Sequence, residues 1–260
     1  MIYFIKSFTA KLFPWIRPGY WGSRYVEKLI SKSIIPSGLF KGMRYVNRSI
    51  CGNIIPKYLG VYEVELVSIF NKLLEMPLQS IIDVGAAEGY YAVGCALRLP
   101  RSQVIAFEGT EEGRKLLKQV IESNEVSERV HVKGYCTPEI LKAQTDACQK
   151  QFNHLLIMDV EGAEEDLLKL HTASDLNQFY MLIELHDWVD PLMGERIIQK
   201  FSSTHISQII DARIRQLSDL TVPYFFPWRC YLSPSLLAFS SERPLPMRWV
   251  YFEPKVKSIT

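Results

Sequence analysis

Between residues 79 and 211 the chain repeats one pattern: a short apolar run, a turn, then a segment with helical spacing. "QSIIDV" (79–84), "QVIAFE" (103–108), "RVHVKG" (129–134), "HLLIMDV" (154–160) and "FYMLIELH" (179–186) are the apolar runs. Helical segments follow at 89–99, 110–123, 137–149, 163–171 and 190–201. Thr110 stands where a cap is needed, with two acids in the turn after it, and Pro138 stands at a first helical turn. Runs that are apolar throughout, rather than alternating, belong to strands covered on both faces. Strands and helices in strict alternation predict a doubly wound, mostly parallel α/β sheet. "HISQIID" (205–211) and "PSLLAFS" (234–240) are expected to add later strands.

Residues 1–78 lack this rhythm. They are rich in Pro, Gly and aromatics, as in "PWIRPGYWG" and "CGNIIPKYLG", and end in an expected helix at 62–74. The division read from the sequence is an N-terminal basic extension (1–78), a sheet domain (79–245) and a C-terminal tail (246–260). Charge supports the first boundary: residues 1–60 hold ten Lys/Arg against a single acid, Glu27, while the rest hold 20 against 27. A basic front on an acidic body suggests an anionic partner for the front, and Met1, Phe4, Ile5, Phe8 and Leu12 share one helical face. Residues 1–40 are therefore expected to touch a membrane surface. No apolar run approaches the roughly 20 residues that span a bilayer, and no signal peptide is read. Five cysteines without a CxxC pair suggest neither a disulfide framework nor a zinc site, which favours a cytoplasmic setting.

The first apolar run leads into Gly85-Ala86-Ala87-Glu88-Gly89. Such strand-to-helix glycine loops cradle nucleotides, yet this one departs from the dinucleotide fingerprint GxGxxG. Ala87 replaces the glycine that lets backbone approach a pyrophosphate. Asp83 and Glu88 flank the turn, and no Lys or Arg occurs from Gln79 to Leu97. An acidic loop suits a nucleoside with a positive end better than one with phosphates. S-adenosylmethionine, with its sulfonium and ammonium, has that character. The second strand ends in Glu108, 23 residues beyond Gly85. That spacing places a carboxylate where it can accept from two ribose hydroxyls.

"LLIMDVEGAEEDLLK" (155–169) concentrates Asp159, Glu161, Glu164 and Glu165 at a strand end. Taken in order and spacing, "DVGAAEGYYA", "AFE" and "MDVEGAEEDLL" resemble the FkbM-type family of class I S-adenosylmethionine-dependent methyltransferases, over about residues 60–210. The resemblance implies a Rossmann-like fold and O-methylation of a hydroxyl on a sugar, glycan or secondary metabolite. It places Asp83, Gly85, Ala86 and Gly89 in the cofactor loop, Glu108 at the ribose, and Asp159, Glu161 and Glu164 in the acidic block. Two departures stand out. Ala87 occupies a position where Asn is frequent, and "GYC" after the third strand offers no acid to the adenine amino group.

Asp159 is expected to meet the cofactor ammonium or the acceptor hydroxyl. Glu164 and Glu165 fall in a first helical turn, where a carboxylate is favoured for structural reasons alone. The fifth strand contributes "IELHD", with Glu184 and His186 on one face and Asp187 on the other. Methyl transfer needs alignment and a place for the acceptor's proton, so Asp159, Glu161 and His186 are the expected catalytic cluster. Carboxylates with a histidine could equally hold a divalent ion, which the sequence leaves undecided. Nothing resembles an NPPY tetrapeptide or a Pro-Cys nucleophile, so nucleic acid as acceptor would rest on the basic front alone. A non-catalytic cofactor-binding or membrane-docking protein is the alternative of a different class. "LTVPYFFPWRCYLSP" (220–234), with five aromatics, suits stacking on a sugar ring or packing under a loop.

Overall fold

In the computed structural model the described residues are 18–149, 153–221, 228–240 and 247–255. The chain clusters into two compact units, one drawn from 1–48, 52–64 and 214–242 and one from 49–51, 65–213 and 243–260.

The larger unit holds a seven-stranded sheet in the order β3-β2-β1-β4-β5-β7-β6. Its strands are β1 (Leu78–Val84), β2 (Gln103–Phe107), β3 (Val130–Lys133), β4 (Asn153–Met158), β5 (Phe179–Leu185), β6 (His205–Asp211) and β7 (Arg248–Pro254). The first five are parallel: Ile82 lies between Ile105 and Leu156, and Leu156 pairs with Met181. β7 runs antiparallel between β5 and β6, with Val250 opposite Ile183 and Ile209. This is the doubly wound, mostly parallel, Rossmann-like sheet expected from the strand–helix alternation. The winding reverses between β1 and β4. In open α/β sheets the ligand crevice lies at that switch point, beyond the carboxyl ends of the strands.

Burial explains why these segments are strands. All seven residues of β5 are buried, so its polar members, above all Glu184, are conspicuous. One sheet face packs Ile82, Leu156, Met181 and Val250 against Leu141, Ile197 and Phe201 of the covering helices. Leu156 is fully buried, and its truncation to Ala would cost about 2–5 kcal/mol.

The helices of this unit are α3 (Val67–Leu73), α4 (Tyr90–Arg98), α5 (Glu111–Ser123), α6 (Pro138–Asp146), α7 (Glu164–Leu167) and α8 (Met193–Phe201). Thr110 and Thr137 cap α5 and α6, accepting from the Gly113 and Ile140 N–H groups at 3.0 and 3.3 Å. α7 is a single turn rather than the longer helix expected at 163–171. A second turn capped at Thr172, whose N–H donates to Asp175, takes over the path to β5.

The smaller unit is helical, built on α1 (Pro18–Ser31), α2 (Ile55–Leu59) and α9 (Trp228–Phe239). Gly22 lets α1 approach α9 closely, since a Cβ there would lie 2.8 Å from that of Ser235. Tyr58 ties α2 to the preceding loop by donating to the Tyr45 and Val46 carbonyls at 3.1 and 3.0 Å.

Two expectations change. Residues 234–240 are not a strand: 234–239 end α9, with Pro234 inside the helix, and Ser240 lies in the turn after it. A short apolar run does not by itself distinguish the two, and here the helix starts six residues upstream. Residues 248–254, assigned to a tail by the sequence, form β7 in the interior of the sheet. The apolar stripe of residues 1–12 and the loop 222–227 lie outside the described residues.

Candidate functional site

The loop after β1 is held in a shape few sequences can adopt. Gly85, Ala87 and Gly89 all have positive φ, at 91°, 46° and 92°. The Gly85 and Ala86 N–H groups both donate to the Phe107 carbonyl, at 3.0 and 2.9 Å, which fastens the loop across to β2. A Cβ on Gly85 would collide with the Asp159 carbonyl oxygen, and one on Gly89 with the Leu117 side chain. Both glycines are thus required by the approach of protein to protein, β1 to β4 and loop to α5.

Glu108 does not sit as a solvated strand end. It is only 7% exposed. Its Oε2 accepts from the Ala87 N–H at 2.9 Å, and its Oε1 from the Thr110 N–H and hydroxyl at 2.7 and 2.6 Å. Glu88, fully buried, clasps a segment from far upstream. It accepts from the Ser49 hydroxyl at 2.6 Å and the Ile50 N–H at 3.1 Å. This clasp sets Cys51 beside the acids; burial pushes its thiol pKa up, and the charges of Asp159, Glu161, Glu88 and Glu108 add to the rise.

Asp83 lies beneath the loop and is 3% exposed. Its Oδ2 has no hydrogen-bond partner among the described residues. Burial, then the nearby charge of Asp159, raises its pKa to about 7; a hydrogen bond from the Ala92 N–H in the first turn of α4 works in the opposite direction. A buried carboxylate with an orphaned oxygen and an acidic neighbour is suited to receiving a cation.

Across the switch point, β4 and β5 deliver a second cluster. His186 follows β5 and is fully buried. Its Nδ1–H donates to Glu164 Oε1 at 2.7 Å. Glu164, also fully buried, further accepts from the Val160 and Gly162 N–H groups at 3.3 and 3.2 Å. His186 Nε2 faces Glu161 Oε2 at 3.5 Å, Glu184 Oε2 at 3.6 Å and Asp159 Oδ1 at 3.7 Å. Burial alone would lower the imidazole pKa. The Glu164 hydrogen bond and the charges of Glu164, Asp159 and Glu161 outweigh it, and the pKa is raised. Glu161 is held at φ 55°, a left-handed conformation uncommon outside glycine, in a turn completed by Gly162 at φ 103°. Strain of this kind persists where the surroundings hold it and concentrates at functional positions. Beside the cluster Trp188 is 67% exposed, its ring 6.1 Å from that of His186.

The structure therefore gathers Asp83, Gly85, Ala86, Gly89, Glu108 and Asp159 at the carboxyl ends of β1, β2 and β4, and brings Asp159, Glu161 and His186 together. Glu165 instead pairs with Arg196 at the surface, and Asp187 with Arg248 at 2.5 Å. Two features escaped the sequence. Glu164 orients His186 rather than merely favouring a helix start, and Ser49–Cys51 reaches the loop through Glu88. The latter contact spans 39 residues and leaves no periodic signal.

No family model matches the chain, and no curated protein matches it. Solved structures similar to it include precorrin-6y C5,15-methyltransferase from Geobacter metallireducens, at 10% identity over 74% of this chain and 86% of that one, TM-score 0.47. A putative rRNA-methylase from Clostridium thermocellum covers 73% and is itself covered to 95%, at 8% identity and TM-score 0.48. A putative O-methyltransferase from Klebsiella pneumoniae gives 9% identity, 78% and 91% coverage and TM-score 0.46. At such scores these likenesses carry no weight for the site, whose chemistry rests on its own residues.

Proposed function

We propose that the chain is an S-adenosylmethionine-dependent O-methyltransferase of FkbM type, acting on a hydroxyl of a sugar, glycan or secondary metabolite. The observation that carries this reading is the sign of the crevice. At the switch point the loop offers buried carboxylates, one with an orphaned oxygen, and no basic side chain between Gln79 and Leu97. A pyrophosphate would meet repulsion there, whereas a ligand with ammonium and sulfonium groups meets attraction.

The residues present fit such a cofactor. Asp83 and Asp159 would take the ammonium end. Glu108 already uses three of its roughly four acceptor positions on Ala87 and Thr110, so it would take one ribose hydroxyl rather than two. When bound, the cofactor supplies an activated methyl group on sulfur. The protein's part is to hold the acceptor oxygen in line, exclude water and receive a proton. Asp159, Glu161 and His186 form the acceptor side. Glu161, 57% exposed, is the carboxylate that an incoming hydroxyl reaches, and His186 is the buried group that shares the proton. Trp188 provides an apolar ring beside them, suited to stacking on a sugar face. A cytoplasmic protein with residues 1–40 in contact with a membrane surface completes the proposal.

Incubation with methyl-labelled cofactor and a panel of small hydroxylated acceptors and glycans tests it. Label on an acceptor oxygen is the expected outcome. Cofactor binding without any transfer would favour the non-catalytic alternative.

A further inference from the structure

We propose that Asp159, Glu184 and His186 form a site for one divalent first-row metal ion of the Mn2+ kind, with Glu164 fixing the histidine for it. The acidic cluster alone would not establish this. The decisive group is His186 Nε2, a fully buried nitrogen with no hydrogen-bond partner among the described residues, aimed at carboxylates it does not reach. Its separations of 3.5–3.7 Å from Glu161, Glu184 and Asp159 are too long for hydrogen bonds. Two ligand atoms bound to a common ion lie about 3.0–3.4 Å apart when each bond is about 2.1 Å; the 3.6 and 3.7 Å from Nε2 to Glu184 and Asp159 exceed that by a few tenths of an ångström, which small side-chain shifts close. One ligand atom from each of Asp159, Glu184 and His186 falls within 4.8 Å of the others.

The tautomer agrees with this assignment. Glu164 takes the Nδ1 hydrogen at 2.7 Å, so the neutral ring, the form that binds a metal, carries its lone pair on Nε2, directed at the cluster; an ion bound there displaces the Nε2 proton. Carboxylate, histidine and metal in line is the usual outer arrangement of imidazole ligands. Glu164 is itself fixed by the Val160 and Gly162 N–H groups, so the acceptor that holds the ring through Nδ1 is anchored to the backbone. One imidazole with two carboxylates favours Mn2+, Fe2+ or Zn2+ over Mg2+ and Ca2+, which prefer oxygen alone. Three protein ligands leave positions open for water or an acceptor hydroxyl, with Glu161 at the rim. Use of the ion in methyl transfer rests on the proposed function, and with the ion bound Glu161 alone takes the acceptor's proton, since Nε2 is then occupied; the site itself does not rest on it.

The test uses the full chain stripped of metal, without cofactor or acceptor. Titration with Mn2+, followed by loss of the free-ion paramagnetic signal, is expected to show one site, with pulsed spectra recording coupling to an imidazole nitrogen. Glu164→Gln is expected to weaken binding by about 10–100-fold, as losing an outer-shell partner does. His186→Ala and Glu184→Gln should weaken it further, and His186→Ala should abolish the nitrogen coupling. Absence of Mn2+ binding at millimolar concentration would overturn the proposal. So would bound Mn2+ without nitrogen coupling in the wild-type chain, a result that needs no variant to fold. Because neither cofactor nor acceptor is present, failure to methylate leaves these outcomes intact.

Discussion

Asp83→Asn isolates the cost of the buried carboxylate on which the cofactor reading depends. Asp83 has a pKa of about 7 in the folded chain against an ordinary 3.8, because it is buried and faces the charge of Asp159. A folded state that holds its proton more tightly than the unfolded chain loses stability as pH rises between those two values. The shift of roughly three units corresponds to at most about 4 kcal/mol. Asn keeps the size of the side chain and an acceptor for the Ala92 N–H but has no charge to desolvate. Urea unfolding of wild-type and variant protein, kept metal-free, is to be compared from pH 5 to pH 8. The stability advantage of the variant should grow from about 1.5 kcal/mol at pH 5 to about 4 kcal/mol at pH 8. Histidines with lowered pKa, such as His171 at about 4, impose the opposite slope on both proteins and cancel in the difference. Parallel curves across this range would refute the claim that Asp83 is a strained buried acid. The same substitution should weaken S-adenosylmethionine binding, and wild-type affinity should rise with pH through 7 as Asp83 ionises.

Other expectations follow from the same contacts. Glu108→Ala should lose cofactor affinity by about 1.5–3 kcal/mol in calorimetry, the worth of hydrogen bonds to a charged group. It should also lower the melting temperature, since Glu108 ties the loop at Ala87 to the cap at Thr110; an unchanged melting point would mean the tie is idle. Gly85→Ala should destabilise the protein without any ligand, because its Cβ meets the Asp159 carbonyl and its φ is 91°, and wild-type stability would contradict that packing. Removal of residues 1–40 should abolish flotation with anionic vesicles, while equal flotation of both forms would dismiss a membrane role for this segment.

The sheet was legible because its central strands β1, β4 and β5 are apolar on both faces and the helices between strands carry start signals in sequence. Thr110 caps where the sequence indicates, and Pro138 opens its helix as expected, with Thr137 before it as the cap. β7 was hidden for a related reason: "RWVYFEP", buried almost throughout, neither alternates nor precedes a helix. The site was legible where chemistry sits at strand ends, since Asp83, Glu108, Asp159 and His186 each close an apolar run. Its tertiary devices were not. That Glu164 turns inward to His186, and Glu88 backward to Ser49, depends on which groups burial brings together.

The crevice at the switch point should select a cationic nucleoside over a pyrophosphate. Calorimetric titration of the full chain with S-adenosylmethionine and, separately, with NAD measures this preference directly. Tight binding of S-adenosylmethionine, weakened in Asp159→Asn, with little or no binding of NAD, is the expected result. Tighter binding of NAD would contradict the account.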